Sequence, residues 1–244
     1  MRVLSTIKFT AIRMLRNYVV LLLLLVVPII LITVFSFILS GIVASDTGEP
    51  MIYVNTMQMI LVFQLFSGSI VMYLIHTDLF TENKTRIYAL PFNQTMYAFS
   101  IMMCGIVYSI FLGVILMVYA QLVLSVVWAS WLWMLYILFL LAVLSIIVCL
   151  IFIFSVKNYK IAERLSEVYG VGFVILAGFF FPMPANAVFE FLGSYGNPLA
   201  LSISAVHEMS QSNTGEAWLQ ANTLLGAIIV LFIVMLVLGR RRMV

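Results

Sequence analysis

The chain has 244 residues, of which 65% are hydrophobic and 9% are charged, and its formal net charge at pH 7 is +3. Soluble domains are about half apolar and about a quarter charged, so this composition excludes a water-soluble globular protein. It predicts an all-α protein that crosses the membrane several times, because helices of about 20 apolar residues span the hydrocarbon core.

Residues 1–17 place apolar side chains such as Val3 and Ile7 among basic ones. The basic residues that we expect to act in this segment are Lys8, Arg13 and Arg16. This pattern predicts an amphipathic helix that lies in the headgroup region before the first span, with Arg13 and Arg16 near anionic lipid. The alternative is a solvated basic leader that only sets the topology.

Six apolar stretches then predict six transmembrane helices. The first could be mistaken for a secretory signal, but its apolar run exceeds the usual length of about 7 to 15 residues, so we interpret it as a retained helix. The fifth stretch is the shortest. The predicted spans are residues 18–42, 52–75, 97–124, 133–154, 168–181 and 218–238.

Basic and acidic residues fall on opposite sides of these spans. When the connections are assigned alternately to two sides, all 12 Lys and Arg residues lie on one side. The positive-inside bias makes that side cytoplasmic, so we expect both termini in the cytoplasm. The other side has no Lys or Arg and carries Asp46, Glu49, Glu190, Glu208 and Glu216.

A short charged segment, residues 78–92, follows the second span on the basic side. Glu82 and Arg86 are four residues apart and can pair on one helical turn, and Pro91 ends the helix. We expect an amphipathic helix that fits a groove on a soluble partner; the alternative is that its charges only set the topology. The candidate contact residues are Asp78, Glu82, Lys84, Thr85, Arg86, Tyr88 and Pro91.

Residues 182–217, between the fifth and sixth spans, are apolar in places but are interrupted by prolines and glycines. Non-helical backbone at membrane depth must be covered by protein or line a wet cavity. We therefore expect short re-entrant or interfacial helices on the outer face. An ordinary long outer loop is the alternative.

Motifs for chemistry are missing from the sequence. It contains no Gly-Lys pair and thus no P-loop, and neither histidine has a catalytic neighbour at helical spacing. Cys104 and Cys149 lie inside predicted spans, where thiols act as small hydrophobic groups, so we expect no metal site. We predict a protein that is not an enzyme, binds no cofactor or nucleic acid, and takes any energy from a partner.

The stretch Glu82-Asn83-Lys84-Thr85, followed by Leu90-Pro91, resembles the E-x-G-T…L…P stretch after the second span of ABC-2 type permeases, a family of ABC exporters. Lys84 stands where that family usually has glycine, and the proline comes one or two residues early. The resemblance implies a coupling helix that docks on a cognate ATPase. It further implies two ATPase copies carrying ATP and Mg beneath two permease chains, identical or different, in a bacterial plasma membrane.

Polar side chains within the spans either line a cargo cavity or bond neighbouring helices. Because no charged group is predicted there, we expect a hydrophobic or amphipathic cargo that enters from the membrane. The chain resembles small Gram-positive permeases that export amphipathic peptides, namely lantibiotic-immunity and phenol-soluble modulin exporters; lipid or drug export, or a non-transporting membrane anchor, are the alternatives. The cavity candidates are Asn55, Gln58, Gln64, His76 and Gln121.

Overall fold

The computed structural model describes residues 9–14, 16, 18–43, 48–81, 83–85, 94–179, 186, 191, 193 and 195–243. No residue in these ranges lies in a β-strand, and one isolated antiparallel bridge joins Val43 to Pro50. The prediction of an all-α, multi-pass membrane protein is confirmed. The helices are α1 (Tyr18–Ile38), α2 (Met51–Leu65), α3 (Gly68–Leu79), α4 (Gln94–Val123), α5 (Trp131–Ser155), α6 (Tyr159–Leu176), α7 (Pro198–Ser210) and α8 (Thr214–Met243).

Five helical stretches of the described chain are long and apolar enough to cross a membrane: α1, α2 continued by α3, α4, α5 and α8. The fifth predicted span, 168–181, overlaps the second half of α6. This helix has 18 residues, about 27 Å, which is close to the hydrocarbon thickness of about 30 Å. Its first half carries four charged side chains, which makes it more polar than the others: Lys160, Glu163, Arg164 and Glu167.

Helix α5 lies at the centre of the bundle, in contact with α2, α3, α4, α6, α7 and α8. In its apolar stretch 78% of the residues are buried, against 17% in α1 and 22% in α8. A helix that is apolar around its whole circumference is typical of such a central position. Helices α1 and α8 instead leave apolar faces open to lipid or to another chain.

The second span is broken between α2 and α3, where Phe66 and Ser67 form a turn. The hydroxyl of Ser145 on α5 accepts a hydrogen bond from the Gly68 backbone N–H at 3.1 Å and donates one to the Leu65 carbonyl. A Cβ on Gly68 would lie 2.4 Å from the Ser145 carbonyl oxygen, so only glycine fits. Close backbone contact and a bridging hydroxyl therefore hold the broken span against α5.

Contacts between distant parts of the chain gather the charged connections at opposite ends of the bundle. At the basic end, the Arg242 guanidinium lies 5.2 Å from the centre of the Phe80 ring. At the acidic end, the Ser210 hydroxyl donates to the Glu49 carboxylate at 2.7 Å. The structure thus has one basic end and one acidic end, as the charge distribution of the sequence indicates.

Helix α7 is the longest described helical part of the predicted outer segment; residues 182–185, 187–190, 192 and 194 lie outside the described residues. With 13 residues, about 20 Å, it is too short to span the membrane. Its first residue, Pro198, lines a cavity with Leu144 and Val148 near the middle of α5, and its last, Ser210, reaches the acidic end. Helix α7 therefore runs from the level of the middle of α5 to the acidic end of the bundle, and the re-entrant arrangement stays a prediction.

Candidate functional site

A charged cluster connects three segments at the basic end. The Arg13 guanidinium donates two parallel hydrogen bonds to the Asp78 carboxylate, at 2.9 and 2.7 Å. The Tyr97 hydroxyl donates to Asp78 Oδ2 at 2.7 Å. Asp78 lies in the last turn of α3, Arg13 in the N-terminal segment and Tyr97 in the first turn of α4. We call these three residues the Asp78 cluster.

The two charges of the cluster differ in exposure. The Asp78 residue is 1% exposed, whereas the side chain of Arg13 is 43% exposed. Three donors satisfy both carboxylate oxygens, which is the condition under which a buried charge can be tolerated. The cluster therefore fixes the end of α3 to the two neighbouring segments, while Arg13 still reaches the surface.

The N-terminal segment is helical at residues 9–14 and 16 and packs on the bundle. Thr10 and Met14, four residues apart, are buried, while Arg16 is exposed. An amphipathic helix explains this arrangement better than a solvated leader does. Arg13 binds Asp78, and its contact with anionic lipid stays a prediction. Lys8 lies outside the described residues.

The chain turns sharply after α3. The Lys84 backbone N–H donates to the Thr81 carbonyl at 2.9 Å, and the Thr81 hydroxyl donates to the Thr77 carbonyl. Lys84 and Thr85 are exposed, so both can be reached by a partner. The other predicted contact residues of this segment lie outside the described residues: Glu82, Arg86, Tyr88 and Pro91.

Asp78 was also predicted to contact a soluble partner, but its carboxylate is inside the protein. A partner that binds the segment after α3 can affect Asp78 only by moving the backbone or by acting on Arg13 and Tyr97. The structure therefore places Asp78 between Arg13 and Tyr97 and away from the protein surface.

His76 was a candidate for a cargo cavity, yet it packs against the first residue of α6. Its ring stacks on Tyr159 with the centroids 4.4 Å apart and the planes 29° from parallel. Burial, together with the negative charge of Glu163, raises the pKa of Tyr159 to about 12, so this ring stays neutral at physiological pH. The stacked pair fixes α3 to α6 beside the Asp78 cluster.

The remaining polar candidates lie in different surroundings. Gln64 is 4% exposed and donates to the Ser109 hydroxyl at 3.2 Å and to the Leu138 carbonyl at 3.3 Å. The space beside it is about 10 Å³, no more than one water molecule needs. Gln64 thus bonds helices together. Asn55 is buried, Gln58 is half-buried and Gln121 is exposed.

Several residues of these contacts were not predicted from the sequence, among them Tyr97 and Ser145. A tyrosine at the start of a span is typical of the aromatic belt, and a single serine in an apolar helix is common. For Ser145, nothing in the sequence of α5 indicates that this residue contacts the break at Gly68. For Tyr97, its position at the basic end of a predicted span is the feature of the sequence that could have indicated its contact.

A comparison with protein families gives one decisive match. The sequence model of the ABC-2 type transporter family matches residues 2–209 of this chain. The chain belongs to the ABC-2 type transporter family. No curated protein matches the chain. The prediction that the chain is an ABC-2 permease is therefore confirmed at the level of the family.

As an ABC-2 permease, the chain is the membrane-spanning component of an ABC transporter and carries no nucleotide-binding motif of its own. Members of this family associate with an ABC ATPase in a membrane. The match includes the N-terminal segment, the Asp78 cluster and nearly all of α7, and ends before α8. The Asp78 cluster of the permease thus lies directly beside the segment that resembles the coupling helix.

Proposed function

We propose that a separate ATPase subunit drives this permease by docking on residues 78–92 at the cytoplasmic side. The family match over residues 2–209 carries this proposal, together with the absence of any P-loop from the sequence. ATP and Mg bind to the partner. Two permease chains form the transport pathway, with one ATPase beneath each, in a bacterial plasma membrane.

The Asp78 cluster transmits the movement of the ATPase into the membrane. Asp78 lies only three residues before Thr81, where α3 has already ended. When the docked segment moves, the paired charges oblige the N-terminal segment and the start of α4 to move with the end of α3. Three connected helices then respond to one contact, which is more effective than a displacement of α3 alone.

The neutral contacts deeper in the membrane extend this movement towards the acidic end. Gln64 bonds α2 to α4 and α5, and Ser145 bonds α5 to both sides of the break in the second span. Trp133 at the start of α5 donates its indole N–H to the Ala205 carbonyl of α7 at 2.9 Å. A continuous set of packed helices therefore runs from the docking segment to the re-entrant helix.

The cargo in this proposal is a hydrophobic or amphipathic molecule, most specifically an amphipathic peptide that leaves the cell. No Asp, Glu, Lys or Arg occurs in the sequence of α1, α4 or α5. These three spans therefore offer no fixed charge for an inorganic ion, and the open apolar faces of α1 and α8 suit a cargo that arrives from the membrane.

The docking proposal is tested by the double variant Glu82→Gln/Arg86→Gln, purified together with the cognate ATPase. Loss of both charges removes contacts at the docking surface, so we expect copurification of the ATPase to fall about tenfold. Lys160→Gln/Glu163→Gln is the matched control, because it also removes one charge of each sign from the basic end, at exposed positions of α6. Equal copurification of both variants and the wild type contradicts the proposal.

The cargo is tested separately, with the complex of permease and ATPase in proteoliposomes. We expect cationic amphipathic helical peptides to stimulate ATP hydrolysis more than added lipids or small hydrophobic drugs do. If only lipids or drugs stimulate ATP hydrolysis, the cargo is a lipid or a drug in place of a peptide, and the docking proposal is unaffected.

A further inference from the structure

A crevice between α4, α5 and α8 opens at the basic end of the bundle. Its volume is about 340 Å³. The surface is largely apolar, and the side chains that line it include Phe99, Met102, Phe154, Phe232 and Leu236. This crevice contains none of the cavity candidates from the sequence.

The length of the crevice matches one leaflet of a bilayer. On α8 it is lined from Phe232 to Arg240, eight residues later, which corresponds to about 12 Å along the helix. Half of the hydrocarbon core measures about 15 Å. The crevice therefore follows most of the depth of one leaflet and ends at the basic surface.

The side of the crevice is accessible from the membrane. Three residues that line it, Met96, Phe99 and Leu236, are between 40% and 51% exposed. A lipid can therefore enter laterally, without passing through the bundle.

The charge at the end of the crevice selects the type of lipid. Arg240 is the one charged residue among those that line it, and Thr95 adds a hydroxyl at the start of α4. A guanidinium binds phosphate oxygens with two parallel hydrogen bonds, and basic pockets between membrane helices favour anionic headgroups. Because the lining contains no acidic side chain, the cationic part of a zwitterionic headgroup forms no ion pair there.

We propose that this crevice binds one anionic glycerophospholipid of the inner leaflet, with its phosphate on Arg240 and an acyl chain between α4, α5 and α8. The site lies close to the docking segment. Phe154 of the crevice packs edge-on against Phe80 with 6.3 Å between ring centroids, and Arg242 covers Phe80. The bound lipid stabilises the end of α8 against the end of the second span, and it is distinct from the cargo.

The test is native mass spectrometry of the purified full chain, titrated with phosphatidylglycerol or with phosphatidylcholine of the same acyl chains. We expect phosphatidylglycerol to be retained preferentially. Arg240→Gln should weaken that retention about tenfold, because it removes the charged contact to phosphate. Arg241→Gln is the matched control: it removes the same charge from the neighbouring, exposed position, which does not line the crevice, and should bind as the wild type does.

A second variant tests the acyl-chain part of the site. Leu236→Trp fills the crevice from its open side and should reduce retention of phosphatidylglycerol, while an unchanged thermal midpoint shows that the bundle is folded. Equal retention of the two lipids, or equal binding by Arg240→Gln and Arg241→Gln, overturns the proposal. Displacement of the lipid by equimolar inorganic phosphate also overturns the proposal. So does a result in which no lipid is retained and Leu236→Trp converts a dimer to a monomer, because a second permease would then cover the crevice. The measurement needs no ATPase, so its failure leaves the docking proposal untouched.

Discussion

The middle of the bundle and its basic end are held together by different chemistry. In the middle, neutral groups bond the helices: an amide at Gln64, a hydroxyl at Ser145 and close backbone contact at Gly68. At the basic end, a buried carboxylate at Asp78 binds a guanidinium at Arg13 that is partly in water. Lipid surrounds the first region, and the proposed partner approaches the second.

This difference follows from the cost of charge in a membrane. A charged side chain at the bilayer centre costs at least about 2.5 to 3.5 kcal/mol, whereas hydroxyl and amide groups can be satisfied by neighbouring backbone. The middle of the bundle can therefore be rigid, but its neutral contacts respond little to external charges. The basic end can combine a strong, directional ion pair with access to an external protein, and so it suits the transmission of a movement.

The largest expected effect is in the middle, from Gly68→Leu. Its Cβ would lie 2.4 Å from a backbone oxygen of α5 and 2.9 Å from the Cys149 sulfur, and the backbone cannot move aside. We expect a loss of about 3 kcal/mol or more in unfolding free energy, measured by denaturant titration in detergent micelles. Gly226→Leu on α8 is the control, since a Cβ there meets no atom within 4 Å. Similar unfolding of the two variants would break the claim that α3 and α5 are in backbone contact.

The next effect is at the basic end, from Arg13→Gln. This change leaves the buried Asp78 carboxylate with the Tyr97 hydroxyl as its remaining partner in the cluster, and we expect it to cost about 2 kcal/mol. Arg16→Gln removes the same charge from an exposed position of the same segment and should cost far less. The loss of unfolding free energy in the double variant Arg13→Gln/Asp78→Asn should be smaller than the sum of the losses in the two single variants. Additive effects would show that the two charges are independent.

The smallest expected effect comes from Ser145→Ala, and it distinguishes most finely between the middle of the bundle and its basic end. The Gly68 N–H and the Leu65 carbonyl both lose their hydroxyl partner, which should cost about 1 kcal/mol in the same unfolding assay. Stimulation of the ATPase should remain, because the charged cluster is intact. Ser155→Ala is the control, since that exposed hydroxyl bonds only within its own helix. A loss of coupling without a loss of stability would instead place the transmission in the middle of the bundle.

Much of the fold could be predicted from the sequence, because lipid imposes strong rules on composition. Runs of apolar residues located the five helical stretches that are long and apolar enough to cross a membrane, and the segregation of Lys and Arg separated the two ends. The charged stretch after the second span indicated the family, and the match to residues 2–209 confirmed it. These features depend on each segment alone, so a single sequence contains them.

The contacts between segments could not be predicted in the same way. Asp78 and Arg13 are 65 residues apart, and each has an adequate local explanation as a surface charge. Gln64 is an equally reasonable cavity residue until Ser109 and Leu138 are found beside it. The break before Gly68 also has no proline to mark it. Which polar group meets which depends on helix packing, and one sequence gives no information on that.

The central claim is that the N-terminal segment and the start of the docking segment move as one unit through the Asp78 cluster. Its most direct test is an electron-spin distance between labels at Arg16→Cys and Lys84→Cys, with Cys104 and Cys149 replaced by alanine, in the complex with the ATPase. We predict the same distance distribution with and without ATP, and a broader, nucleotide-dependent one after Arg13→Gln. A distance that changes with ATP while Arg13 is intact would contradict the account.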